Sequence, residues 1–188
     1  MPEEMIVRYC APTLAGIKTG SLFSCPCGSR ERMLGDIREF NRRFREKGLV
    51  MLAARFSEKR ALLYLFRPGR LAEDLRDRRA AVMLEASGYE PGCVYRPLAD
   101  LFGRLRKREE FPHEIGLFLG YPPEDVKGFM ENRAANCKAA GMWKVYGDVE
   151  AARRVFVKYK KCTELYTKRY RSGCSLELLA VTGGSGKG

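Results

Sequence analysis

The chain has 188 residues, 45% of them hydrophobic and 31% charged, and its 35 Lys and Arg against 23 Asp and Glu give a formal net charge of +12. Those figures suit one globular domain of ordinary size and exclude a chain that is disordered throughout. No apolar run approaches the roughly 18 to 20 residues of a membrane-spanning helix, and the opening M-P-E-E-M-I-V-R-Y-C lacks the apolar core of a signal peptide, so a cytoplasmic protein is expected.

In chain order, residues 10–24 read as a short helix entered through Pro12, whose missing N–H has no partner at a first helical position anyway. The Cys25-Pro26-Cys27-Gly28 turn breaks the chain, and a stronger helix follows over 29–47, with Met33, Leu34, Ile37, Phe40 and Phe44 at helical spacing and Gly48 as its stop. Two apolar runs, 49–56 and 61–66, flank Ser57-Glu58-Lys59-Arg60 and predict a β-hairpin. A helix is expected over 71–87, then a shorter one carrying Leu98, Leu101, Phe102 and Leu105. The run F-P-H-E-I-G-L-F-L-G-Y at 111–121 reads as a buried strand. Pro122-Pro123-Glu124-Asp125 opens a helix whose face includes Val126, Phe129, Met130 and Cys137, with its acids matching the positive end of the helix dipole. Residues 142–146 read as a short strand, and Asp148 caps a long last helix that Gly173 ends.

This order predicts an α/β or α+β fold: a single domain over 1–182, with a small mixed sheet of about four strands covered by helices, and a flexible Gly-rich tail at 183–188. V-T-G-G-S-G-K-G in that tail is not a phosphate-binding loop: Val181 stands where the first glycine belongs, Gly188 stands where the hydroxyl belongs, and no helix follows.

Seven cysteines without an export signal point to thiols, metal ligands or a redox pair rather than a disulfide framework. The expected helix start puts Cys10 where helix N–H groups, with Arg8 and Lys18 nearby, favour a thiolate; the plainer reading is a small buried thiol. His113 is the one histidine, so any Cys-His chemistry within this chain must use it. The chain order, cysteine first and histidine about 100 residues later, parallels papain-like enzymes. Cys10 is then the candidate nucleophile and His113 the base, with Glu114 or Asp125 as orienter, although strand alternation turns Glu114 away from His113. Cys25 and Cys27 form a C-x-C, and Cys10, Cys25, Cys27, Cys137 and Cys162 are the thiols available for an iron–sulfur cluster or a soft metal, although Cys137 and Cys162 lie on apolar helix faces. The Trp143-Lys144-Val145-Tyr146-Gly147-Asp148 stretch ends a strand at a helix start, a place for an anionic small molecule with Lys144 adding charge. Basic clusters such as Arg104-Arg106-Lys107-Arg108 and Lys168-Arg169-Arg171 leave nucleic acid as another candidate partner, although they are spread over several helices.

Three stretches together carry a resemblance: C-A-P-T-L-A-G-I-K-T-G from Cys10, F-P-H-E-I-G-L-F-L-G-Y-P-P-E-D-V-K-G-F from Phe111, and W-K-V-Y-G-D from Trp143 followed by Y-K-K-C-T. They resemble an uncharacterised bacterial family, mostly from anaerobes, of a domain of unknown function. The resemblance covers nearly the whole chain except the tail and implies one full-length domain. Its relatives' neighbourhood of iron-uptake and flavodoxin genes implies metal or redox work over nucleic acid. Cys10, Lys18, His113, Glu114, Tyr121, Cys137, Lys144, Tyr146 and Cys162 match the family pattern; Lys18 and Glu114 are candidates beside the Cys10–His113 pair, and Tyr121, Lys144 and Tyr146 for a cofactor or ligand. The C-P-C turn departs from the pattern, which argues against Cys25 and Cys27 as the functional centre.

Overall fold

The structure is a computed structural model and describes residues 1–90, 93–107 and 111–183. Its elements are α1 (Glu3–Leu14), β1 (Gly20–Pro26), α2 (Arg30–Phe44), a 3-10 turn (Arg45–Lys47), β2 (Val50–Phe56), β3 (Arg60–Phe66), α3 (Pro68–Arg76), α4 (Arg78–Ala86), α5 (Tyr95–Lys107), α6 (Ile115–Phe118), α7 (Pro123–Asn132), β4 (Ala139–Ala140), β5 (Lys144–Val145), α8 (Val149–Arg171) and α9 (Leu176–Leu179). The mixture of helices with small sheets is the expected architecture, and every strand pairing among the described residues is antiparallel. The residues gather into two compact units, Met1–Arg70 with Lys161–Gly188, and Leu71–Lys160; α3 and α8 contribute residues to both. Among the described residues no helix is long and apolar enough to cross a membrane. Apart from Gly183, the tail lies outside the described residues.

In the first unit the sheet order is β1-β3-β2, so the hairpin partner β3 is central. Strand alternation turns Ala61, Leu63 and Leu65 to the face that meets α1, α2 and α9, where Phe40, Phe44 and Leu176 complete a closed apolar core. Tyr64 and Phe66 turn the other way and stack on each other, centroids 4.8 Å apart. The hairpin and the 29–47 helix stand where the sequence puts them. The Ser29 hydroxyl accepts from Arg32 N–H, and Gly48 ends the 3-10 turn in the left-handed region, φ 68°.

The expected helix over 10–24 is replaced by the end of α1 and by β1. Its period begins earlier, at Ile6, Val7, Cys10 and Leu14, all buried, so Pro12 sits inside the helix near its end rather than at its start. Past Leu14 the chain turns, and Gly20 begins β1 opposite Phe66. No side chain fits at Gly20, because a Cβ there would lie 2.5 Å from the Tyr64 hydroxyl and 2.6 Å from its ring. Gly20→Ala is therefore expected to destabilise the protein by about 1–3 kcal/mol, read as a lowered urea midpoint; an unchanged midpoint would mean that the Tyr64 ring moves aside freely.

In the second unit the expected 71–87 helix is two helices broken at Asp77, which leaves the helical path and caps α4 by accepting from Arg79 N–H. On α5 the face of Leu98, Leu101, Phe102 and Leu105 is buried, as its spacing predicts. The expected strand over 111–121 is a turn and the four-residue helix α6. Leu117 N–H donates to Glu114 O and Tyr121 N–H to Gly116 O, closing the run on itself. Ile115, Gly116, Leu117 and Phe118 are all buried, and an apolar run buried on every side shows no period that separates strand from helix. Gly120, φ 73°, then turns the chain toward Pro122. Helix α7 ends at Asn132, so Cys137 lies beyond it rather than on its face.

Candidate functional site

Within the second unit, α6, α7 and the β4–β5 hairpin enclose a cavity of about 360 Å³. Its wall includes Tyr121, Phe129 and Trp143, its inner side Ile115 and Val126, and His113 and Lys144 also reach it. Two large apolar side chains of the lining, Phe111 and Met142, are 49% and 48% exposed. The aromatic rings brace one another. Trp143 stacks on Tyr121 with centroids 4.8 Å apart and takes Phe156 edge-on at 4.5 Å, while His113 meets Phe129 edge-on at 5.0 Å. Gly141 is what admits Phe156, since a Cβ there would stand 2.2 Å from its ring.

The hairpin is held by Asp125. This buried carboxylate accepts Trp143 Nε1–H at 2.7 Å on one oxygen, and the backbone N–H groups of Tyr146 and Gly147 at 2.7 and 2.8 Å on the other. Asp125 lies in the first turn of α7, so the helix dipole also favours its charge. Its role is therefore to fix the indole of Trp143 in the cavity wall. The loop before β4 carries three non-glycine residues in the left-handed region, Arg133, Ala134 and Asn136. Lys144 Nζ donates to Ala134 O, and the Tyr146 hydroxyl to Ala135 O at 2.9 Å, so both side chains hold this loop.

The residues singled out from the sequence separate into the two units. His113, Tyr121 and Lys144 share the cavity, whereas Tyr146 turns its hydroxyl to the loop. Burial raises the Tyr121 hydroxyl above its ordinary range. Glu114 is buried and accepts the Tyr89 hydroxyl at 2.8 Å and Arg104 at 3.2 Å, with the Arg104 guanidinium 4.2 Å from the Tyr89 ring centre. Burial, and then the bond to Glu114, push the Tyr89 hydroxyl up.

Cys10 and Lys18 belong to the first unit, where Lys18 is buried and donates to Gly20 O. Cys10 is fully buried in the core toward the C-terminal end of α1, so the premise of a helix-start thiolate does not hold: the N-terminal end that favours an anion is at Glu3. Desolvation raises its thiol far above the usual range, and nearby Lys18 offsets this only in part. Cys25 and Cys27 are buried at the end of β1, Cys137 is half-buried before β4 and Cys162 half-buried on α8. Among the described residues no group of three or more His, Cys, Asp or Glu is placed to hold a metal ion. With Cys93 exposed and Cys10 closed off, iodoacetamide is expected to alkylate Cys93 at once and Cys10 only on unfolding, as read by peptide mass spectrometry. Comparable rates for the two would contradict this burial.

Sequence reasoning missed Asp125 as the hairpin anchor and Phe129 and Met142 as cavity residues. An acid in the first turn after two prolines is explained by the helix dipole alone, and only the fold brings the W-K-V-Y-G stretch against it. One protein-family model, described as "Protein of unknown function (DUF3793)", matches residues 6–180. No curated protein and no solved structure matches the chain.

Proposed function

The chain belongs to the family described as Protein of unknown function (DUF3793), and from that premise we propose that it binds a planar, largely apolar small molecule in the aromatic cavity of its second unit. The observation that carries this reading is an indole fixed in a cavity wall by a buried carboxylate. Three donors converge on Asp125, two of them backbone groups, and the arrangement presents Trp143, Tyr121 and Phe129 to one space of about 360 Å³. That volume lies in the range of small-molecule sites, about 300–1,000 Å³. Rings held in place lose little freedom on binding, and each stacked or edge-on contact contributes about 0.5–1.5 kcal/mol beyond the area it buries. Phe111 and Met142, large apolar groups left in water, gain by being covered.

The reading is tested with anilinonaphthalene, a neutral aromatic dye that fluoresces when it leaves water. Saturable binding at one site per chain is expected. Ala140→Phe, which adds a ring at an exposed position of the cavity lining, should weaken binding at least tenfold without moving the unfolding midpoint. Binding that is unaffected by that variant would place the dye elsewhere and overturn the proposal.

A further inference from the structure

A second cavity, of about 540 Å³, lies in the same unit and shares Phe111 and His113 with the aromatic one. Its character differs. Arg104, Lys107 and His113 line it, and the one acid among the described residues of its lining, Glu114, is buried and taken up by the Tyr89 hydroxyl and Arg104. Arg104 is thereby neutralised and further fixed by donating to Ser87 O at 2.6 Å. Lys107, at the C-terminal end of α5, is exposed, and no ion pair among the described residues takes it up. His113 stands where the two cavities meet, with its ring edge-on to Phe129 on the aromatic side.

An apolar, ring-lined space that adjoins a basic one, with His113 and Phe111 lining both, selects for a particular shape of molecule. A purely apolar ligand fills the first cavity and leaves the second to water. A ligand that carries an anionic group on its ring system places that group beside Lys107 and His113, where opposite charge and N–H donors meet it. We infer that the ligand of the aromatic cavity is a planar ring compound bearing an anionic substituent, a carboxylate, sulfonate or phosphate, which Lys107 and His113 receive. This inference rests on the aromatic-cavity reading and adds the ligand's charge to it.

The test compares anilinonaphthalene with its sulfonate, which share the ring system and differ by one negative charge. For each protein variant the ratio of the two affinities is measured, so that differences in the dyes' own hydrophobicity cancel between variants. Lys107→Gln and His113→Gln are each expected to lower the sulfonate's relative affinity about threefold, the scale of a solvent-exposed charge contact. Lys107→Glu should lower it further, while affinity for the neutral dye stays within about twofold in the two Lys107 variants. The preference for the sulfonate should also fall as salt is raised from 0.05 to about 0.5 M. A ratio unchanged by Lys107→Glu overturns the anionic-substituent inference while leaving the aromatic-cavity reading intact. Failure of both dyes to bind the native chain overturns the aromatic-cavity reading itself.

Discussion

Arg67→Met is expected to be the most destabilising single substitution in the first unit, by about 3–5 kcal/mol, because it removes a buried cation that joins three parts of the chain. The Arg67 side chain is almost wholly buried and has no carboxylate partner among the described residues; it is held by four backbone carbonyls instead. Its Nε and one terminal nitrogen donate to Thr13 O and Leu14 O at the C-terminal end of α1, both at 2.8 Å. The remaining bonds reach Lys47 O at 3.0 Å and Val181 O at 2.7 Å, in the 3-10 turn and the C-terminal segment. Carbonyls at a helix end carry the negative pole of the dipole, which suits a cation. Burial, and then nearby Arg70, lower the Arg67 pKa, yet a guanidinium stays charged across the ordinary pH range. Arg67→Lys should recover less than half of the loss, since a point-like ammonium cannot fork to carbonyls on two sides. Urea unfolding read by circular dichroism checks both variants; a loss below about 1 kcal/mol for Arg67→Met would show that backbone and water contacts suffice there.

Asp125→Asn is the second substitution of large effect, and it separates shape from charge. An asparagine oxygen can still accept Tyr146 N–H and Gly147 N–H, but the amide nitrogen then faces Trp143 Nε1–H, donor against donor. The expected cost is about 2 kcal/mol, the scale of an unsatisfied buried donor, rising to about 3–5 kcal/mol for Asp125→Ala, where all three donors are orphaned. The variant has a second signature. Trp143 is the one tryptophan of the chain, so release of its indole should shift the emission to the red while the helices keep their circular dichroism. Unshifted emission in Asp125→Asn would show that the stacking on Tyr121 and Phe156 holds the indole without the carboxylate.

Much of this fold is written in local pattern. The helix over 30–44, the 50–66 hairpin and α8 each carry a clear period with a recognisable cap or stop, and those elements stand where the pattern puts them. Two of the misread segments fail for a physical reason. In F-P-H-E-I-G-L-F-L-G-Y the central Ile115, Gly116, Leu117 and Phe118 are all buried, so that stretch has no exposed face to reveal a period. In the first segment, Pro12 suits a helix start by its own chemistry, but Ile6, Val7 and Cys10 set the helix one turn and more upstream. The candidate site was legible in part. His113, Tyr121 and the Trp143 stretch were visible as unusual residues, and His113, Tyr121, Trp143 and Lys144 line one cavity. Asp125's three donors come from residues 18 to 22 positions away, so no spacing rule could reveal them. Cys10 drew attention through a helix boundary that the fold moves, and its burial follows from the same shift.

The most direct measurement of the aromatic-cavity proposal is the fluorescence of Trp143 itself during titration with anilinonaphthalene. Because no other tryptophan contributes, a dye seated against this indole should quench its emission saturably, with the same midpoint as the rise in dye fluorescence, and Ala140→Phe should abolish both changes together. Dye fluorescence that rises while Trp143 emission stays constant would place the binding elsewhere on the protein and contradict the account.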